Sequence, residues 1–207
     1  MTKKALILVD IQNDFCPGGA LAVNEGDRVV EPANALAEKF VARGDIVVAT
    51  QDAHPADHAS FASQHEGVCI GDVIELGGLD QVLWPDHCVD GTFGAEFHPQ
   101  LRCDLLTKVF KKGTDREVDS YSGFYDNGHR HATGLAAFLH EQEVEEVWVC
   151  GLATDYCVKA TALDAVFEGF GTVVYGTACR AVDMLPGDGD KALAEMAAAG
   201  CEIVFEA

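Results

Sequence analysis

The chain has 207 residues, 48% of them hydrophobic and 23% charged, with a formal net charge of −20. Such a length allows one sizeable core without requiring a second domain, and the composition is that of an ordinary globular protein. The acidic excess argues against nucleic acid and anionic membrane surfaces, which want basic patches, and no stretch is apolar enough to span a bilayer. The apolar run after Met1-Thr2-Lys3-Lys4 is short and Asp10 interrupts it, so it does not read as a secretory signal, and a cytoplasmic protein is expected. The eight cysteines, at 16, 69, 88, 103, 150, 157, 179 and 201, form no CxxC pair and read as thiols.

In chain order, residues 5–9 are a continuous apolar run that reads as a buried strand ending at Asp10. Val29, Val30, Ala33, Leu36, Ala37, Phe40 and Val41 recur at helical spacing, and 46–49 is the next strand, after the Gly44-Asp45 turn. Residues 105–110 predict a third strand. Leu135, Phe138 and Leu139 mark a short helix face, followed by a strand at 147–150. Val158, Thr161, Ala162, Ala165 and Val166 mark another helix; 172–175 is a fifth strand, 192–199 a helix and 202–205 a sixth strand. Strands alternating with helices predict βαβ units, and strands apolar throughout predict a parallel sheet covered on both faces. Residues 53–104 break the alternation. They are rich in Gly, Pro, His and Asp, and so long a loop in a compact domain is usually functional or disordered.

Ligands of such sheets bind outside the carboxyl ends of the strands. Asp10, Asp52, Lys112 and the run 151–157 all fall there. Cys157 is placed in the first turn of a helix that begins at about Thr154 or Asp155, both good N-cap residues. The free amides and dipole of that turn favour a thiolate and could hold a developing oxyanion. A free cysteine is more often a small buried hydrophobe, so its company decides the matter. A thiol attacking an amide needs a base, for which Asp10 at a buried strand end is suited, and an ammonium, for which Lys111 and Lys112 are equal candidates by spacing.

Asp52, His54 and His58 lie within seven residues, and His87 follows in Trp84-Pro85-Asp86-His87-Cys88. One carboxylate and three imidazoles suit Zn²⁺, Fe²⁺ or Mn²⁺. Phe15, Trp84, Tyr121 and Phe124 sit in or near loops after strands, where they could sandwich a flat ring or simply pack under the long loop.

Seven segments in order carry a resemblance over essentially the whole chain: residues 8–16 (LVDIQNDFC), 51–55 (QDAHP), 58–61 (HASF), 84–88 (WPDHC), 110–113 (FKKG), 119–124 (DSYSGF) and 151–158 (GLATDYCV). The chain resembles the nicotinamidases of the isochorismatase-like cysteine hydrolase superfamily. The resemblance implies a single α/β domain over 1–207, with a six-stranded parallel sheet of order 3-2-1-4-5-6, helices on both faces, and a metal-binding and lid loop around 53–104. It implies hydrolysis of nicotinamide to nicotinate and ammonia, for NAD salvage, with pyrazinamide as a further substrate. Cys157 matches the nucleophile, Asp10 the base and Lys112, which directly precedes a Gly, the triad lysine. The amides of Ala153 and Cys157 match the oxyanion hole, and the bond before Ala153 is expected to be cis. Asp52, His54, His58 and His87 match the ligands of one divalent ion, zinc first, with iron or manganese as alternatives. Phe15, Trp84 and Tyr121 match ring-contacting positions. The implied partner is a small molecule, nicotinamide; a homo-oligomer is compatible with the sequence. Residues 68–83 follow no pattern of the family. Three other readings stay open: a related amidase for a different small amide, a metal hydrolase in which Cys157 is structural, and a non-catalytic binding module.

Overall fold

The computed structural model describes residues 2–207. In chain order the elements are β1 (Lys4–Val9), α1 (Val30–Arg43), β2 (Ile46–Asp52), β3 (Val73–Leu76), β4 (Leu79–Val82) and β5 (Lys108–Lys112), then α2 (Leu135–Glu141), β6 (Glu146–Leu152), α3 (Lys159–Phe167), β7 (Gly171–Arg180), α4 (Asp188–Ala198) and β8 (Glu202–Val204). Strands β5-β2-β1-β6-β7-β8 form one sheet, and every pairing in it is parallel. Counting only its own strands, the order is the expected 3-2-1-4-5-6.

The chain steps outward from β1 in one direction through β2 to β5, and in the other through β6 to β8. Right-handed crossovers in opposite directions place their helices on opposite faces. Thus α1 packs on β1 and β2, while α3 packs on β6 and β7 with α4 beside it. Strand β1 is fully sandwiched, with Ala5 to Val9 essentially without exposure, which is why it has no polar alternation.

Several boundaries differ from expectation. Strand β2 runs on through Thr50 and Gln51 to Asp52, because these residues pair with Phe110, Lys111 and Lys112 where the sheet opens into the site. The third strand starts at Lys108; Cys103–Leu105 is a 3₁₀ turn whose leucine, with Leu106, packs on the core from outside the sheet. The segment around 53–104 contains an antiparallel hairpin, β3 with β4, joined by Gly77-Gly78 at φ 60° and 82°. Both central residues at positive φ are what a two-residue hairpin turn demands. All eight cysteines are free. Among the described residues no helix is long and apolar enough to cross a membrane.

Candidate active site

Sheet register assembles the centre of the site. Asp10 follows β1, Asp52 ends β2, Lys112 ends β5, and Cys157 lies in the turn after β6. Register pairs Asp52 with Lys112 and Val9 with Gly151. The four side chains therefore converge from neighbouring strands and are buried, with Asp10 at 0% exposure and Lys112 at 2%. Asp10 itself takes φ 48°, a left-handed backbone that costs a non-glycine residue on the order of 1–3 kcal/mol and clusters at functional sites.

The Lys112 ammonium lies 2.9 Å from Asp10 Oδ2 and 2.8 Å from Asp52 Oδ1. It also donates to the Ser120 carbonyl at 2.8 Å and to Cys157 Sγ at 3.5 Å. Asp10 Oδ1 accepts from Thr50 Oγ1 at 2.6 Å, whereas Oδ2, although ion-paired, receives no hydrogen bond of good geometry. One buried carboxylate oxygen is thus left able to take a proton. Burial pushes the Asp10 carboxyl up, against the pull of Lys112. Burial would push Lys112 down, but Asp10 and Asp52 hold it well above the usual lysine value, so it stays cationic. Lys111 faces solvent and pairs with Asp90 at 2.7 Å, which resolves the ambiguity of spacing in favour of Lys112.

Cys157 departs from its expected electrostatics. Burial raises its thiol well above the ordinary value, Lys112 opposes this, and Asp10 and Asp52 add to the rise. The free amides of the first turn act the other way, toward the thiolate. Nor does the turn start with the expected cap. Thr154–Val158 is a π-helical turn leading into α3, its N-cap position is Ala153, and no side chain caps it. Asp155 instead accepts the amides of Val182 and Asp183, both at 2.9 Å. The Leu152–Ala153 bond is cis.

The four expected metal ligands are all buried and lie beside this centre. Asp52 Oδ2 is 3.2 Å from His54 Nε2 and 3.6 Å from His87 Nε2. His54 Nδ1 donates to the Gly113 carbonyl and His87 Nδ1 to the Pro85 carbonyl, each at 2.8 Å. A carbonyl can only accept, so both Nδ1 atoms carry their protons outward and both Nε2 atoms face Asp52, whose carboxylate outweighs burial and raises His54 to about 9. The set divides into two overlapping triads: Asp52, His54 and His87, and then His54, His58 and Asp119. His58 Nδ1 faces Ser60 Oγ at 2.8 Å, and its Nε2 is buried with no partner. That orphaned nitrogen, together with two imidazole Nε2 atoms turned toward one carboxylate, fits a divalent cation, which would take the place of the Nε2 protons. Asp119 belongs to the DSYSGF motif, but its place beside His54 and His58 depends on a contact that spacing does not reveal.

A narrow slot opens over Cys157. It is lined by Phe15, Leu21, Asp52, Trp84, His87, Asp119, Tyr121, Ala153, Tyr156, Cys157 and Val182, and most of its surface is apolar. Three of the four aromatic candidates therefore line it. Phe124 does not: it is 1% exposed and stacks on Phe170 in the core. Tyr156, next to Cys157, joins the wall and packs edge-on against Trp84 and Tyr121. Phe61 backs the imidazoles, with ring centroids 5.4 to 5.6 Å from those of His54, His58 and His87.

A family profile described as the isochorismatase domain matches residues 4–205. The nicotinamidase of Escherichia coli (strain K12) is 51% identical over 203 residues, covering 98% of this chain and 95% of that protein. A solved Acinetobacter baumanii nicotinamidase–pyrazinamidase superposes with a TM-score of 0.93 at 43% identity, covering 99% of this chain and 96% of that one. A pyrazinamidase of Pyrococcus horikoshii in complex with zinc gives 0.80 at 40% identity, over 98% of both chains.

Proposed function

The chain belongs to the isochorismatase family, and we propose that within it the protein is a nicotinamidase, an amidohydrolase that converts nicotinamide to nicotinate and ammonia and so returns the ring to NAD salvage. One observation carries this reading: the unbonded Asp10 Oδ2, the Cys157 thiol and the inward-facing imidazoles share one slot walled by aromatic rings. The nicotinamidases that resemble the chain at 51% and 43% identity over nearly its full length support it.

In this mechanism Asp10 Oδ2 takes the Cys157 proton as sulfur bonds to the carboxamide carbon. Lys112 keeps Asp10 ionised and stabilises the charge as it moves to sulfur. The oxyanion rests on the amides of Ala153 and Cys157, which no side chain competes for at the uncapped turn. Collapse breaks the C–N bond, and Asp10 returns its proton to the departing ammonia, leaving a nicotinoyl thioester. Water then attacks as Asp10 removes its proton; the C–S bond breaks, the proton returns to sulfur, and nicotinate leaves.

Asp52, His54 and His87 would hold a divalent ion, with His58 as the fourth donor, and the zinc carried by the Pyrococcus relative supports zinc as that ion. When bound, the ion supplies a Lewis-acidic contact for a ring nitrogen and so orients the ring. Phe15, Trp84 and Tyr121 flank the ring itself. The test is ammonia release from nicotinamide, pyrazinamide and benzamide, with and without chelator. Nicotinamide and pyrazinamide should be hydrolysed and benzamide poorly. Turnover should fall on chelation because positioning is itself catalytic. Equal rates for benzamide and nicotinamide, or turnover that survives Cys157→Ala, would overturn the reading.

A further inference from the structure

The β3–β4 hairpin matches no expected functional pattern, yet it sends one polar side chain inward. Gln81 is the sole fully buried residue of its two strands, at 3% exposure. A buried amide must be bonded, and here the bonds lead to the slot. Gln81 Nε2 lies 3.2 Å from the Tyr121 hydroxyl, 3.1 Å from Asp119 Oδ2 and 2.7 Å from the Val82 carbonyl. Trp84 Nε1 donates to the same Tyr121 oxygen at 3.1 Å. The two Gln81 amide hydrogens are shared among these three acceptors, and the phenol oxygen meets N–H groups from two directions, which restrains the tilt of both rings. Gln81 itself does not reach the slot, whereas Tyr121, Trp84 and Asp119 do. The hairpin tip is tied to the rest of the molecule by Arg130, which donates to the Gly77 carbonyl at 2.6 Å, and its base is closed by the Leu83 amide on the Asp72 carbonyl at 2.8 Å.

We propose that Gln81 is a positioning residue for the substrate ring: its amide locks Tyr121 to Trp84 and to Asp119, so that the aromatic wall is set before substrate arrives. The inference rests on the nicotinamidase reading only in naming the ring. An apolar residue would fill the same space without ordering anything; the wall would then be ordered at the expense of binding, roughly three- to tenfold for each side chain immobilised.

Gln81→Met keeps length and burial and removes the donor. It should raise KM for nicotinamide about three- to tenfold and leave kcat little changed. Gln81→Glu, placing a carboxylate against Asp119, should raise KM further. Should Gln81→Met fail to fold, Gln81→Asn, which withdraws the amide by one methylene, should give the same split. Tryptophan emission of the ligand-free protein supplies the second readout. Trp148 is a constant background, bonded to Glu146 and packed on Phe40, so a change in emission reports Trp84. Unchanged KM and emission in a folded Gln81 variant would overturn the proposal. So would a fall in kcat at constant KM, which would place Gln81 in acyl transfer. If the wild-type protein released no ammonia from nicotinamide, the nicotinamidase reading would fall, and the emission comparison alone would decide whether Gln81 sets the wall.

Discussion

Gly113 follows the buried lysine and stands against the imidazole cage, so adding one methyl group there probes the cage directly. A Cβ at Gly113 would sit 2.5 Å from His54 Cε1, 2.7 Å from His54 Nδ1 and 3.0 Å from Asp52 Oδ1. Non-bonded carbon atoms prefer roughly 3.5–4.0 Å, so the ring must retreat by about 1 Å and strain the 2.8 Å bond from His54 Nδ1 to the Gly113 carbonyl. Gly113 also has φ 64°, and the left-handed backbone costs an L-residue about 1–2 kcal/mol. Gly44→Ala isolates that backbone cost, because Gly44 has φ 79° and nothing within 4 Å of a Cβ. Gly113→Ala should therefore lose about 1–3 kcal/mol more stability than Gly44→Ala, the usual penalty for overpacking. Misplacing a ligand by about 1 Å should lower kcat/KM on the order of a hundredfold. Urea unfolding, ammonia release and zinc affinity against a chromophoric chelator measure the three effects. If Gly113→Ala matched Gly44→Ala in all of them, the packing of His54 on Gly113 would have no functional weight.

Three other outcomes follow from the same geometry. Lys112→Ala strips the shared cation from Asp10 and Asp52 and should cost about 3–5 kcal/mol along with activity, while Lys111→Ala, removing only an exposed pair with Asp90, should be nearly silent in both assays. Cys157→Ala should abolish turnover without shifting the melting point; in the intact protein, inactivation by iodoacetamide should accelerate as pH rises, since burial raises the thiol, and a rate flat with pH would mean a preformed thiolate. Burial pushes Asp126 up, but the amides of Arg130 and His131, the His131 ring and the Gly128 amide outweigh it and hold its carboxyl below the model-peptide value of 3.8. Its folded-state pKa being depressed, its stabilisation is complete above that value and is lost as pH falls through the folded one. Asp126→Asn should then cost about 1–3 kcal/mol at neutral pH and flatten the acid limb of the stability curve, and an unaltered limb would refute the assignment.

What could be read from the chain, and what could not, divides along physical lines. Strands buried on both faces announce themselves as unbroken apolar runs, so β1 and the first half of β2 were visible. Where strands leave the core their residues turn polar, and the ends of β2 and β5, Asp52 and Lys112, lie outside the apolar signal although they are ordinary ladder partners. The hairpin has a turn signal in Gly77-Gly78, but its strands are four residues each and mostly half-buried or exposed, so they show little periodicity. Asp10, Asp52, Lys112 and Cys157 were legible because each closes or follows a strand of one parallel sheet. Asp119 and Gln81 were not, since their importance comes from contacts with residues far away in sequence. For Cys157 the first-turn geometry is written in the sequence, while its burial and the nearby Asp10 and Asp52, which push the thiol up, are not.

The position of β1 in the sheet bears on how the protein is made. This first strand lies between β2 and β6, and Lys4 pairs with Glu146, 142 residues further along. At ~5–20 residues per second, a ribosome needs about 7–30 seconds to deliver that partner. Throughout that interval one edge of an almost wholly apolar strand has nothing to pair with. The half of the site that depends on β6, including Cys157, does not yet exist. The nascent chain is thus exposed longest at the strand that leads into Asp10, and that edge is where mispairing competes with folding until β6 emerges.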